Sequence, residues 1–192
     1  MDLAEAGLLR KAQGGNLFAF EEMVKRYERR VYAVALRVVR RHDVADDVAQ
    51  DAFLRAWQAL SSFDLSRPFG PWICRIAANL AVNHVRSPES REEGLPEGHG
   101  EEPGRVDDPL AQLLDHEAAS VLHRALAELP PEQRAVLTLR VVEEMSYKEI
   151  AEALGLPPGT VMSRLARARD KLADALGPYL GARGLRAQSE GA

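Results

Sequence analysis

The sequence has a single cysteine, Cys74, so it cannot form an internal disulfide, and a structural zinc cluster is not expected. Its histidines show no metal-ligand spacing. No apolar run approaches the length of a membrane span, and the N-terminus lacks a signal-peptide pattern. We therefore expect a cytoplasmic protein that holds no metal and makes no membrane contact of its own.

The chain also lacks a positive net charge, which argues at first against nucleic-acid binding. Its formal net charge is -4 over 192 residues. Residues 87–109, however, contain six Glu and two Asp against two Arg, a net charge of -6 that leaves +2 for the rest of the chain. The distribution of charge, and not its average, therefore decides which partners the chain can bind.

The sequence shows no strand-forming alternation, phosphate-binding loop, catalytic dyad or metal motif. Its periodic segments are helical, whereas residues 87–109 are too rich in Pro, Gly and Glu to recover the entropy of ordering. We predict an all-α protein of two small helical domains joined by a flexible acidic linker, with no cofactor and no enzymatic activity. The predicted domains are residues 1–86 and 110–180, with the linker at 87–109 and a disordered tail at 181–192.

Residues 146–176 read as two helices around a tight turn, a helix-turn-helix. Ser146 is a good N-cap, and Glu149 three residues later completes a capping box. Gly155 can adopt the positive φ that ends a helix. A proline at the first position of the next helix, as at Pro158, suits its fixed φ. The second domain is therefore predicted to contain the helix-turn-helix.

The second helix of this motif has one apolar face and one face of basic and hydrogen-bonding residues. The apolar face of such a helix can pack against its domain while the polar face enters the major groove. Arginines on the polar face can then pair with guanine or bind phosphates. A pair of surface helices with a solvated basic face is the alternative interpretation. The polar face contains Thr160, Ser163, Arg164, Arg167 and Lys171, with Arg169 to one side.

Two longer amphipathic helices are predicted near the start of the chain. The first, capped by Asn16 and ending at Arg41, has a basic outer face that could simply be solvated. The second, capped by Asp43, presents carboxylates and an amide at residues 46–51. Carboxylates near a helix start suit the helix dipole, but beside aromatic residues they are equally a candidate partner surface.

A predicted loop at residues 61–71 contains phenylalanines and is broken by proline and glycine. The next helix, with Pro71 in its first turn, carries Trp72, arginines and asparagines on one face. Aromatic rings can stack on single-stranded bases while amides and arginines hold base edges and backbone. The alternative is that the tryptophan and the phenylalanines are core residues.

These segments, in this order and with a linker between them, resemble the extracytoplasmic-function sigma factors, the small two-domain specificity subunits of bacterial RNA polymerase. Residues 18–39 look like the first conserved segment of that family. Residues 43–57 are similar to the segment that docks on the clamp helices of the polymerase. Residues 67–86 are similar to the segment that melts and reads the minus-ten element, and residues 129–172 to the reader of the minus-thirty-five element.

The resemblance, carried over residue by residue, implies three sets of site residues. The polymerase-docking candidates are Asp46, Asp47, Gln50, Phe53 and Arg55. The minus-ten candidates are Phe63, Asp64, Ser66 and Arg67 in a loop that takes a flipped base, flanked by Trp72, Arg75, Asn79 and Arg86. The minus-thirty-five candidates are Thr160, Ser163, Arg164 and Arg167 facing the element, with Arg169 and Lys171 on phosphates.

The implied function is promoter-specific transcription initiation. Its implied partners are the clamp of the largest polymerase subunit, the flap of the second-largest, promoter DNA, and an anti-sigma factor that covers both domains until a signal releases them. Two other functions compete with this one. A helix-turn-helix regulator that binds duplex DNA without polymerase does not explain the acidic face or the aromatic loop. A helical enzyme is the second, and no residue suggests its chemistry.

The chain departs from the family's pattern at three places. Gly70-Pro71 stands where the family often has Arg-Ala, Asn83 replaces a usual aspartate, and Met162 replaces a frequent basic residue. These departures bear on promoter preference and on the shape of the loop-helix junction more than on the function itself.

Overall fold

The computed structural model describes residues 3–87 and 116–189, and the regular structure in these ranges is entirely helical. The predicted all-α class is therefore confirmed. Residues 88–115, which hold nearly all of the predicted linker and the start of the predicted second domain, lie outside the described residues. The helices are α1 (Leu3–Gln13), α2 (Leu17–Val39), α3 (His42–Ala59), α4 (Phe69–Arg86), α5 (His116–Ala127), α6 (Pro131–Val141), α7 (Tyr147–Leu154) and α8 (Pro158–Ser189), with a 3-10 turn at Leu60–Ser62 after α3.

Helix α2 begins as predicted and ends two residues early. The Asn16 side chain caps its start by accepting a hydrogen bond from the Ala19 amide at 2.9 Å. At its end Arg40 takes a left-handed conformation, φ 62°, and its amide donates to the Leu36 carbonyl. A left-handed residue after the last turn satisfies an unpaired carbonyl and stops the helix.

Helix α3 begins one residue before the predicted cap. Arg41 occupies the N-cap position without a side-chain cap bond, so Asp43 lies in the first turn and is not the cap. The Arg41 guanidinium lies 2.6 Å from the Asp43 carboxylate and lowers the pKa of Asp43 to about 2. A carboxylate in the first turn also interacts favourably with the helix dipole, so Asp43 still supports this end.

Helices α1 to α4 form the N-terminal unit around one apolar core. Alanines such as Ala52, Ala56 and Ala77 are fully buried and let the helices approach closely. Cys74 is buried among them, and this burial raises the pKa of its thiol. Within residues 3–87 and 116–189 no cluster of three His, Cys, Asp or Glu residues could hold a metal ion.

Helices α5 to α8 form the C-terminal unit, which contains the predicted helix-turn-helix. The capping box between Ser146 and Glu149 is present at the start of α7. Gly155 ends α7 with φ 61°, and the following Leu156 is partly buried against the core. Glycine reaches this left-handed conformation without the steric penalty of a Cβ, so the local sequence predicted the turn correctly.

The two units pack directly against each other, with α6 between them. Every residue of α6 from Arg134 to Leu139 is buried, because the helix contacts α8 on one side and α2 and α4 on the other. Ala135 of α6 joins one apolar cluster with Val38 of α2 and Ala81 of α4. The described part of the chain therefore has a core that crosses the boundary between the units.

Helix α8 is much longer than predicted. The sequence predicts a disordered tail from residue 181, whereas α8 continues through Pro178 to Ser189. Residues 179–189 have Leu, Ala or Arg at six of eleven positions but also contain Gly181 and Gly184, so helix propensity alone does not explain this extension. None of the described helices combines the length and the apolarity needed to cross a bilayer.

Candidate polymerase and nucleic-acid interfaces

A cleft of about 850 Å³ lies between the loop after α3, helix α4 and the end of α7. It brings together residues that the sequence places up to 100 positions apart, from Arg55 to Gly155. Arg55 of α3, a predicted docking residue, lines this cleft as well. The minus-ten candidates on its wall are Phe63, Asp64, Arg67, Trp72, Arg75 and Asn79.

The loop at the mouth of the cleft is held in a defined turn. The Asp64 carboxylate accepts a hydrogen bond from the Ser66 amide at 2.9 Å, and the Arg67 amide donates to the Asp64 carbonyl at 3.0 Å. The hydrogen bonds from Ser66, and then the nearby Arg67, lower the pKa of Asp64. Arg67 keeps 71% of its side chain exposed, so its charge remains available to a ligand.

An aromatic cluster supports this loop from beneath. The rings of Phe63 and Trp72 are 4.6 Å apart, and Phe69 lies 5.4 Å from Trp72. Phe63 and Phe69 are buried, as the core alternative predicted, whereas Trp72 is half-buried and lines the cleft. Trp72 therefore offers a partly exposed ring to the cleft, whereas Phe63 packs beneath the loop.

Gln13 of α1 anchors the base of the loop, a contact that no pattern in the sequence indicated. Its side-chain amide donates to the Leu60 carbonyl at 2.9 Å and to the Phe63 carbonyl at 2.7 Å. These two bonds join the N-terminal helix to the segment that leads into the cleft. A glutamine at a helix end is common on protein surfaces, so only the fold identifies this contact.

We expect Gln13→Ala to lower the free energy of unfolding by about 1–2 kcal/mol, because the Phe63 carbonyl loses its donor. Urea denaturation monitored by circular dichroism would measure the change. Gln58→Ala is the matched control, since Gln58 is an exposed glutamine on α3 and its removal should cost less than about 0.5 kcal/mol. Equal losses in the two variants would refute the anchoring role.

Two of the minus-ten candidates are engaged by the C-terminal unit. The Asn79 side-chain amide donates to the Ala153 carbonyl in α7. Arg86, at the end of α4, lies 2.9 Å from the Glu132 carboxylate of α6. Ser66 and Arg86 do not line the cleft, so the structure does not bring all eight candidates to one place.

The predicted docking face lies on the outer side of α3. Asp46, Asp47 and Gln50 are exposed there. Phe53 is only 8% exposed and belongs to the core, so in the free chain it does not present its side chain on this face. Its neighbour Leu54 is 60% exposed instead, one turn beyond Gln50 on the same face.

Helix α8 presents its predicted polar face to solvent. Val161, Leu165 and Ala168 on the opposite face are at most 1% exposed. The Ser163 hydroxyl donates to the Thr160 carbonyl at 3.0 Å and can turn to a ligand. The face is held rigidly from behind, which a recognition helix requires. Its exposed members are Ser163, Arg167, Arg169 and Lys171, while Thr160 and Arg164 are half-exposed.

Comparison with known proteins gives two family matches along the chain. The model of sigma-70 region 2 matches residues 23–92, which include α3, the loop and α4. The model of sigma-70 region 4 matches residues 120–172, which include the helix-turn-helix. The two matches therefore cover the predicted docking face on α3, the residues that line the cleft and the polar face of α8.

Curated relatives extend the similarity over most of the chain. The RNA polymerase sigma-H factor of Pseudomonas aeruginosa is 35% identical over 181 residues, which cover 90% of this chain and 94% of the relative. The ECF RNA polymerase sigma-E factor of Escherichia coli K12 is 34% identical over 186 residues, covering 93% and 97%. Both relatives are aligned over nearly their full length.

Solved structures agree with these relatives. CnrH in complex with the cytosolic domain of CnrY matches with a TM-score of 0.58 and 32% identity, over 91% of this chain and 98% of that one. The sigma factor RpoE of Bartonella quintana, in complex with the anti-sigma factor NepR, matches with a TM-score of 0.61 and 25% identity, over 82% and 96%. This chain therefore belongs to the extracytoplasmic-function group of the sigma-70 family of RNA polymerase sigma factors.

Proposed function

We propose that this sigma factor docks on core polymerase through the outer face of α3, takes a single strand of the minus-ten element in the cleft, and reads the minus-thirty-five element with α8. The observation that carries the proposal is the exposed α3 face of carboxylates, an amide and a leucine. A regulator that binds only duplex DNA needs no such face. The protein would act in the bacterial cytoplasm, where polymerase and promoter DNA meet.

The docking face combines an apolar residue with polar ones. Leu54 supplies exposed apolar area at one end of the face, and Asp46, Asp47 and Gln50 precede it along the helix. Interfaces of this composition exclude water at the centre and gain orientation from the charged rim. The clamp helices of the largest polymerase subunit would therefore need to present basic side chains around an apolar contact.

The cleft suits a single strand better than a duplex. Trp72 offers a ring for stacking, and Arg67 and Arg75 offer charge to the backbone on the same wall. Unstacking a base costs a few kcal/mol, and capture of a flipped base in the cleft offsets part of this cost. Promoter melting would therefore be driven by contacts that exist only with the open strand.

The C-terminal unit supplies the duplex contact. The exposed residues near the start of α8, such as Ser163 and Arg167, can reach base edges, while Arg169 and Lys171 can hold phosphates. The unit would also contact the flap of the second-largest polymerase subunit. Two modest DNA contacts joined through the polymerase gain from effective concentration, so neither unit needs high affinity by itself.

An anti-sigma factor is the natural inhibitor in this proposal. Two structural relatives were solved as complexes, CnrH with the cytosolic domain of CnrY and RpoE with the anti-sigma factor NepR. Since this chain shares their fold over most of its length, we infer that it too is held inactive by a protein that covers both units. Signal sensing would then lie in that partner.

We expect Arg164→Ala to weaken recognition of the upstream element by about 1–3 kcal/mol, because a bidentate arginine-guanine contact contributes about that much discrimination. Arg164 lies half-exposed on the flank of the recognition face. Promoters with a matched and with a scrambled upstream element should be compared in run-off transcription. A uniform loss on both promoters would instead make Arg164 a phosphate contact.

Purified core polymerase provides the direct test of the whole proposal. We expect the full chain to form a stable complex with core polymerase and to initiate at discrete promoters in a run-off assay. Failure to bind the core, together with tight specific binding of duplex DNA by the chain alone, would show that it works as a stand-alone helix-turn-helix regulator.

A further inference from the structure

Met162 leaves an apolar side chain exposed near the start of helix α8, on a face that is otherwise polar and basic. It is the fifth residue of α8, and it is 50% exposed. Val161 and Leu165, by contrast, are almost completely buried. Among the residues of α8 whose burial is described, 158–179, no other large apolar side chain is exposed to this extent. Packing within the C-terminal unit therefore does not account for Met162.

The exposed face of α8 has an apolar row of side chains beside a polar one. Residues four apart are neighbours along a helix, so Met162 and the exposed Ala166 form one row. Ser163 and Arg167, which are also exposed, form the next row. The apolar row therefore lies directly beside the two residues that can make hydrogen bonds to base edges.

Met162 is also placed at the end of α8 that would enter a groove. Long side chains in a helix lean toward its N-terminus, so Met162 extends back over the first turn of α8. The surface around that turn is open, since a Cβ at Gly159 would have no heavy atom within 4 Å. The N-terminal residues of a recognition helix are the ones that contact base edges. The end of the Met162 side chain can therefore reach a base pair.

The chemistry of the major groove restricts what an apolar side chain can recognise there. The groups that distinguish the base pairs are hydrogen-bond donors and acceptors, except for the C5 methyl group of thymine. Opposite another base, Met162 would remove polar groups from water without giving them a partner, which is unfavourable. Opposite thymine, its flexible thioether gains an apolar contact. Met162 therefore favours one base and disfavours the others.

We propose that Met162 reads the C5 methyl group of a thymine in the minus-thirty-five element and so gives this chain a preference for A·T at that position. The proposal rests on the assignment of the α8 face to the minus-thirty-five element. The family often has a basic residue here, and a basic residue can hold a phosphate of any sequence. Methionine replaces that sequence-independent contact by one that depends on a base.

Deoxyuridine isolates the proposed contact, because it pairs with adenine as thymidine does and lacks only the C5 methyl group. The test uses holoenzyme assembled from core polymerase and the full-length chain. Its probe is a promoter duplex, found by run-off transcription, to which binding weakens when the upstream element is scrambled. Each thymine of the element is replaced in turn by deoxyuridine. Competition binding then gives the methyl ratio, which is the affinity for the thymine duplex divided by the affinity for the deoxyuridine duplex.

Four variants are compared with the unaltered chain. Met162→Leu keeps an apolar side chain of similar volume, Met162→Ala removes most of it, and Met162→Lys supplies a charge for a phosphate. Arg169→Ala is the matched control, because it removes a predicted phosphate contact from the same helix and leaves Met162 in place. Both residues are exposed, so the fold should survive each change, which circular dichroism would check.

We expect the unaltered chain to show a methyl ratio of about four at one thymine, since burial of a methyl group contributes about that factor in affinity. Met162→Leu should keep most of this ratio, whereas Met162→Ala and Met162→Lys should abolish the discrimination. Met162→Lys should also steepen the slope of log affinity against log salt by about one, because a further phosphate contact releases a counterion. Arg169→Ala should weaken binding of both duplexes equally and leave the ratio unchanged.

A chain that binds the thymine and deoxyuridine duplexes equally at every position would overturn the proposal. A methyl ratio that persists in Met162→Ala would overturn it too. So would equal losses of Met162→Ala on both duplexes, which would make Met162 a contact to the DNA backbone or to polymerase. If scrambling the upstream element weakened binding to no promoter, the assignment of α8 itself would fail. The scrambled duplex contains no deoxyuridine, so the two failures are distinguishable.

Discussion

Asp47→Arg is expected to weaken binding of core polymerase by at least about 100-fold while the fold remains intact. Asp47 is exposed on α3, and surface substitutions of this kind usually change stability by less than about 0.5 kcal/mol. At an interface, however, a reversed charge meets the basic groups that the native carboxylate attracts, and such like-charge juxtaposition costs several kcal/mol. Titration of the labelled sigma factor with core polymerase would measure the affinity, and a thermal melt would check the fold.

A second charge reversal and an apolar truncation make this test specific. Glu28→Arg changes the same charge at an exposed position on α2, outside the docking face, and should leave the affinity within about twofold. Leu54→Ala should weaken binding by about tenfold through lost apolar contact. If Asp47→Arg bound core polymerase normally and Glu28→Arg bound it weakly, the docking surface would lie on α2 and not on α3.

The features predicted correctly from the sequence are those whose causes lie within one or two helical turns. The helix-turn-helix is the clearest case, because Ser146, Glu149 and Gly155 each act on backbone groups a few residues away. Capping bonds and left-handed turns depend on local chemistry, so no knowledge of the fold is needed to find them. The same holds for Asn16 at the start of α2.

The burial of Phe53 was less well defined by the sequence, for a different physical reason. The buried side of α3 is made mainly of alanines, among them Ala45, Ala49, Ala52 and Ala56. Alanine is a weak indicator of a buried helix face. The pattern of apolar residues therefore did not show clearly which face of α3 packs against the core. Phe53 and Leu54 are neighbours on this helix, and only the packing shows which of them is buried.

The contacts that sequence reasoning missed are long-range. Gln13 reaches a carbonyl 50 residues away, and Arg30 pairs with a carboxylate 113 residues away. Arg30 belongs to a basic helix face for which solvation was the simplest interpretation. The packing of the helices determines such long-range partners, and the periodicity of the sequence does not indicate them.

The second large effect is expected from Arg134→Met, which should lower the free energy of unfolding by about 3–5 kcal/mol. Arg134 is 8% exposed, and burial lowers its pKa to about 10, so it remains charged near pH 7. Its guanidinium donates to the Leu129 carbonyl at 2.9 Å and to the Val38 carbonyl at 2.7 Å. A third bond, also 2.9 Å, reaches the Ala127 carbonyl.

These carbonyls lie at or just beyond the C-terminal ends of α5 and α2, where helices leave acceptors unpaired and where the helix dipole favours a cation. Methionine fills a similar volume but removes every donor, so the Leu129 and Val38 carbonyls lose these bonds in both units at once, while the Ala127 carbonyl keeps a bond from Arg40 Nη1 at 3.3 Å. A loss of this size should lower the melting temperature by about 10 °C for a chain of this length.

The matched control for Arg134 is Arg124→Met on α5, because Arg124 is exposed and its loss should cost less than about 0.5 kcal/mol. Differential scanning calorimetry of both variants, with small-angle X-ray scattering of Arg134→Met, would separate two possibilities. A large drop in melting temperature is expected, since one guanidinium joins the ends of two helices from different units. An unchanged melting temperature with separated units would mean that Arg134 positions the units without stabilising either. An unchanged melting temperature in a compact chain would refute the structural role altogether.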